Sequence, residues 1–183
     1  NSFVNIFSLT VGLAAFILIM LYIHHETRYD KFNEQYNRIY RIEGDDYAKL
    51  PPVVGTYLMD HLPEVQNMAR LSLGNEEFIV YRPDDDPENY RQVKGNVFCA
   101  DSSVFKVFTF PLLAGDTNTA LKRPFTVVLS ENKAASLFGN SNALGKSVYI
   151  GNHNFEVTGI IRNVKYSHIK IEALFSQESV QLI

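Results

Sequence analysis

The sequence predicts an α+β fold: an N-terminal transmembrane and stalk helix, then a mixed α/β domain with hairpins and short helices. Three observations carry this expectation. Residues 1–23 contain no Asp, Glu, Lys, Arg or His, so the whole formal charge of −3 belongs to the rest of the chain. Downstream, short alternating runs of β-branched and aromatic residues recur between turn residues. Among them lie compact helical stretches with recognisable starts and stops. The division that follows is a transmembrane helix over 1–23, a stalk helix over 24–37 and a core domain over 38–183.

The first element is the apolar run from Phe3 to Ile23, 21 residues long. At about 1.5 Å per residue it reaches ~31 Å, which matches the ~30 Å hydrocarbon core of a bilayer. Thirteen of its residues are Leu, Ile, Val or Phe, together worth roughly −4 to −8 kcal/mol on insertion. Asn5, Ser8 and Thr10 offset part of that gain, and no charge does. Tyr22 stands where an interfacial aromatic would. A cleaved signal peptide has a shorter apolar core and a small-residue cleavage site, whereas His24-His25-Glu26-Thr27 follows directly. A buried soluble helix is seldom apolar on every face over such a length. Membrane lipid is therefore the first partner predicted.

No helix breaker separates Ile23 from Asn37. Tyr29, Phe32 and Tyr36 recur at spacings of three and four, which places them on one helical face. The span is thus expected to continue as an amphipathic stalk. Arg38 to Glu43 alternates as a first strand. Pro51-Pro52 suits a helix start, giving a helix over Val53 to Leu62 that Pro63 ends. Val65 to Leu73, Glu77 to Arg82 and Tyr90 to Ala100 read as successive strands. Pro83-Asp84-Asp85-Asp86-Pro87 reads as a solvated hairpin tip, because a calcium loop needs ligands at alternate positions, a central Gly and a closing Glu. Asp101-Ser102-Ser103 opens a short helix whose Val104, Phe105, Val107, Phe108 and Phe110 belong to the core. Phe125 to Leu129 is a strand, and Ser130 caps a helix that runs to Phe138 and stops at Gly139. Ser147 to Ile150 and Asn154 to Ile161 complete the strands.

Gly145-Lys146-Ser147 has the ending of a phosphate loop. The loop needs Gly, four residues, then Gly-Lys-Ser/Thr, leaving a strand and opening a helix. Five residues separate Gly139 from Gly145 here, and the order is helix, loop, strand. Gly145 and Lys146 are accordingly read as a turn into a strand.

Composition narrows the remaining chemistry. A pI near 6.0 and a charge of −3 do not suit nucleic acid, which calls for a clustered basic face. Cys99 is the single cysteine, so no disulfide framework or Cys-based zinc site is available. It lies in an apolar strand, where a buried inert thiol is expected. His24 and His25 are adjacent and diverge by about 100° on a helix, so they share no metal easily. His61, His153 and His168 are isolated in sequence. Neither a Gly-x-Ser-x-Gly elbow nor a His-Glu-x-x-His helix occurs. No catalytic, cofactor or metal residue is assigned, and an enzyme is not predicted.

Five stretches, in their order and intervals, resemble the N-terminal part of MacB/FtsX-type ABC transporter permeases, particularly the large permeases common in Bacteroidetes. They are Asn5-Ile6-Phe7-Ser8-Leu9-Thr10-Val11-Gly12-Leu13-Ala14; Glu26-Thr27-Arg28-Tyr29-Asp30-Lys31-Phe32-Asn33 through Arg38-Ile39-Tyr40-Arg41; Phe105 through Phe110-Pro111-Leu112-Leu113-Ala114-Gly115-Asp116; Val128-Leu129-Ser130-Glu131 through Phe138-Gly139; and Leu144-Gly145-Lys146. Ser8 stands where that family often has Gly, and Arg162 to His168 lacks the proline expected before Ser167-His168. The resemblance implies an inner-membrane helix, with residues after about 24 in the periplasm of a bacterium. It also implies a cytoplasmic ABC ATPase subunit, a permease dimer and a periplasmic protein partner. ATP would then be hydrolysed by another polypeptide, and this chain would pass the resulting movement to the periplasmic side. Tyr29, Phe32, Tyr36 and Tyr40 are expected to fasten stalk to domain. With no second span before Ile183, the chain reads as a fragment or a truncated relative. The competing reading is a membrane-anchored extracytoplasmic sensor or ligand-binding domain, which would need a closed pocket with convergent polar groups.

Overall fold

The computed structural model describes residues 2–44, 50–72, 74–83, 86, 88–180 and 182. Helix α1, Ser2–Glu26, carries the apolar run, and none of its residues is buried. Among the described residues it is the one helix long and apolar enough to cross a membrane. Its exposure distinguishes it from the core helix of a soluble domain, where such a surface would be covered.

After α1 the chain folds as a sheet-rich domain with short helices. Helix α2 spans Val53–His61. Strands β1, Asn75–Tyr81, and β2, Arg91–Ala100, form an antiparallel pair. Helix α3 is Val104–Val107, strand β3 Leu112–Gly115, strand β4 Thr126–Ser130 and helix α4 Glu131–Phe138. Strands β5, Ser147–Ile150, β6, His153–Ile161, and β7, Ala173–Ser176, complete it. The strand order is β3-β6-β4-β7-β2-β1-β5, and β5 also pairs with β6. That extra pairing closes six strands into a ring, with β3 attached to the free part of the β6 edge.

Period-two alternation explains two cores. Val127 and Leu129 of β4, Ala173 of β7 and Val157 of β6 share one cluster with Ile79, Val97 and Val148, so all six ring strands contribute to it. Ala134, Leu137 and Phe138 of α4 join that interior. The alternate residues Val128 and Leu174 face a second cluster with Ala100, Val104, Phe110 and Leu121, so α3 and the loops beside it cover the outer face. Every residue of β4 is buried, as a strand between two filled layers must be. Ser130 Oγ accepts from the Lys133 N–H at 3.4 Å, and the Gly139 N–H closes on the Ala135 carbonyl. The predicted cap and stop of α4 are therefore both present.

The stalk requires a correction. The helix expected over 24–37 ends at Glu26. Backbone bonding tightens there from Thr27 N–H on Ile23 O to Arg28 N–H on His25 O and Tyr29 N–H on Glu26 O. Asp30 then takes φ 57°, and its N–H leaves the helical ladder for the Tyr166 carbonyl at 2.9 Å. Asp is among the few residues that enter the left-handed region readily, and a tertiary bond replaces the helical one. Residues 27–35 form turns, followed by a short 3₁₀ turn, Tyr36–Arg38.

Other expectations also shift. Arg38 to Glu43 joins no strand among the described residues, because Tyr40 and Ile42 find no surface to cover and remain exposed. From Val65 to Leu73 there is one bridge, Leu71 with Ala100, and Leu73 lies outside the described residues, as do Asp84, Asp85 and Pro87 of the acidic tip. Strands β3 and β7 were not foreseen.

Candidate functional site: the stalk junction

The turn after α1 joins the domain through three sets of contacts. The first centres on Asp30. Besides its backbone bond to Tyr166, its carboxylate accepts the His168 backbone N–H at 3.2 Å and meets His168 Nδ1 at 2.7 Å. His168 Nε2 faces Glu26 Oε1 at 3.9 Å, linking the last turn of α1 to the same imidazole.

The second set lies three residues on. Phe32 packs into the outer core with its ring centroid 6.1 Å from that of Phe110. Asn33 is only 4% exposed. Its Oδ1 accepts the Thr109 N–H at 2.9 Å, and its Nδ2 donates to the Asp30 carbonyl at 3.1 Å. The Glu34 N–H returns the link by donating to Thr109 Oγ1 at 3.0 Å. The two bonds to Thr109 span 75 or more residues of sequence, so they are true tertiary clamps, while the bond to the Asp30 carbonyl braces the turn locally.

The third set is aromatic. Tyr29 lies 5.5 Å from His25, 6.0 Å from Tyr166 and 4.6 Å from His168, and the Arg28 guanidinium sits 5.6 Å from the Tyr166 ring centroid. Edge-on and tilted rings at such separations attract beyond their buried area.

Of the four aromatics expected at the junction, the structure brings Tyr29 and Phe32 to the domain. Tyr36 is exposed, and Tyr40 is 82% exposed with a local bond from its hydroxyl to the Asn37 carbonyl. The sequence reading missed Asp30, Asn33, Tyr166 and His168. Asp30 and Asn33 did carry a signal: both residue types favour turns over helix interiors.

Gly145 takes φ 77° in the turn before β5. Its N–H donates to the Val157 carbonyl at 2.8 Å, and Lys146 Nζ donates to Ser141 Oγ while standing 5.4 Å from the Tyr81 ring and 5.3 Å from the Phe138 ring. Donors that would cradle a phosphate are thus committed internally. Cys99 is 4% exposed, its Sγ bonds Gln177 Oε1, and burial pushes its thiol pKa to about 11 with Asp101 adding to the shift. A cavity of about 250 Å³ at one mouth of the ring is lined in part by Phe155, Phe175, Glu77 and His153. It falls below the roughly 300–1,000 Å³ usual for small-molecule sites.

An exposed apolar helix clamped to an α+β domain defines a membrane-anchored module with a built junction. The sequence matches the MacB-like periplasmic core domain over residues 2–177, and the chain belongs to that family. Two solved structures share its fold. A domain described as that of a permease protein from Porphyromonas gingivalis superposes with a TM-score of 0.54 at 17% identity, covering 67% of this chain and 55% of that one. The periplasmic region of MacB from Actinobacillus actinomycetemcomitans gives a TM-score of 0.51 at 15% identity, covering 80% and 70%. The chain therefore spans about half the length of the first of these structures. No curated protein matches it.

Proposed function

We propose that the chain forms the first membrane span and periplasmic core domain of an ABC transporter permease in a bacterial inner membrane. In this reading a partner ATPase moves the membrane helices of a permease dimer, and α1 conveys the movement to the periplasmic domain, driving conformational change or export there. The observation that carries the reading is the junction: a helix with no buried residue is fastened, within eight residues of its end, to two loops of the domain. A lever requires a firm attachment and no catalytic residue. Family membership supports the same reading.

The attachment is testable in the complete permease reconstituted with its ATPase. Phe32→Ala removes the ring that enters the outer core. Coupling between ATP turnover and periplasmic movement, followed by spin-label distances across the domain, should weaken while basal turnover persists. Unchanged coupling would remove Phe32 from the role. A complete permease that purifies with no ATPase would remove the transporter reading itself.

A further inference from the structure

The junction has a second character, set by its depth. The apolar run ends at Ile23, and Glu26 lies three residues beyond, about 4.5 Å along the helix at 1.5 Å per residue. The headgroup layer is roughly 5–7 Å thick on each side of the hydrocarbon. Glu26 therefore stands within that layer; the 3.9 Å approach of His168 and the contacts of Tyr166 with Tyr29 and Asp30 bring the middle of loop 162–170 beside the helix exit.

At this level the surface chemistry is that of an interface. Tyr22, Tyr29 and Tyr166 surround the helix exit, as aromatics do at membrane boundaries. Arg28 and Lys31 follow the helix, and Arg162, Lys165 and Lys170 lie along the docked loop; all five are exposed. Lys31, Arg162, Lys165 and Lys170 enter no ion pair among the described residues, while the Glu26 and Asp30 carboxylates both face His168. Glu34 is a third carboxylate on the turn, so five cations stand against three carboxylates here, in a chain whose net charge is −3.

We propose that the turn after α1 and loop 162–170 form a basic and aromatic collar that binds anionic phospholipid headgroups of the bilayer α1 crosses. The inference rests on the membrane-span reading above. Its consequence is that lipid composition sets how firmly the domain's base lies on the membrane.

The test uses the whole chain in nanodiscs of neutral phosphatidylcholine and in discs containing phosphatidylglycerol at three parts in ten. Insertion is read by resistance to alkaline extraction, and the collar by amide exchange over residues 162–170. A basic residue near an anionic surface is worth about a fivefold change in equilibrium. Exchange in the loop should slow about five- to tenfold in anionic discs, with amides of α4 unchanged. The double variant K165Q/K170Q should lose this protection, and K165R/K170R should keep it. Equal exchange in both discs by an inserted chain would overturn the collar alone. A chain that alkali extracts from neutral discs would overturn the span and the collar together.

Discussion

Removal of the Asn33 side chain tests whether the junction is a discrete local structure. Asn33→Ala deletes two hydrogen bonds, one from the Thr109 N–H at 2.9 Å and one to the Asp30 carbonyl at 3.1 Å. Losing the bond to the Asp30 carbonyl costs about 1 kcal/mol, and leaving the half-buried Thr109 N–H without its partner costs a comparable amount. The sum is about 2 kcal/mol, which corresponds to a ~30-fold rise in junction opening. Native-state amide exchange reads this directly. The Thr109 and Glu34 amides should exchange about 30-fold faster, while those of β4, in the buried centre of the sheet, should not change. Unaltered exchange at Thr109 would refute the clamp. Equal acceleration in β4 would refute its locality, since the junction would then open only with the whole domain.

Two further outcomes follow from the same geometry. A Cβ at Gly115 would stand 2.4 Å from the Thr158 carbonyl oxygen and 2.8 Å from Gly159 Cα, at φ 96°, so Gly115→Ala should cost about 2–5 kcal/mol; a urea midpoint equal to that of the parent would contradict the β3–β6 contact. For Cys99, the thiol pKa rises from 9.0 to about 11 on folding. The folded state therefore holds its proton longer, and stability from this group is full below pH 9 and falls as pH rises towards 11. Thiol reagents at pH 8 should label Cys99 only as fast as the domain opens, and rapid labelling of native protein would contradict the burial.

Much of the fold was legible because single elements carried strong local signals. The span, the Ser130 cap with its Gly139 stop, and the alternation of β2, β5 and β6 required no knowledge of distant residues. Strand β3 was hidden by its brevity and by Pro111 before it, and β7 by its four residues, Ala173–Ser176, of which three are buried and Phe175 half-buried, so that they show no polar alternation. The resemblance did single out Leu112 to Gly115; the close pairing of Gly115 with Gly159 supplies a physical reason for a glycine there. At the junction, helical spacing put Tyr29, Phe32 and Tyr36 on one face, but the chain there is a turn, in which Tyr29 and Phe32 meet the domain and Tyr36 stays exposed. What decided the matter was the Asp30 bond to a carbonyl 136 positions away. Local periodicity contains no information about a partner at that distance.

Closure of the sheet has a mechanical consequence. An open sheet yields by shear between strands, whereas in the ring β5 bonds both β1 and β6 and removes that soft mode. With the buried face of α4, Ala134, Leu137 and Phe138, set against its interior, the ring resists torsion as a tube does. The link between helix and domain is then the nine residues from Thr27 to Gln35. Any torque arriving through α1 is delivered as rotation of the whole domain, with a stiffness set by the Asp30, Phe32 and Asn33 contacts rather than by the sheet.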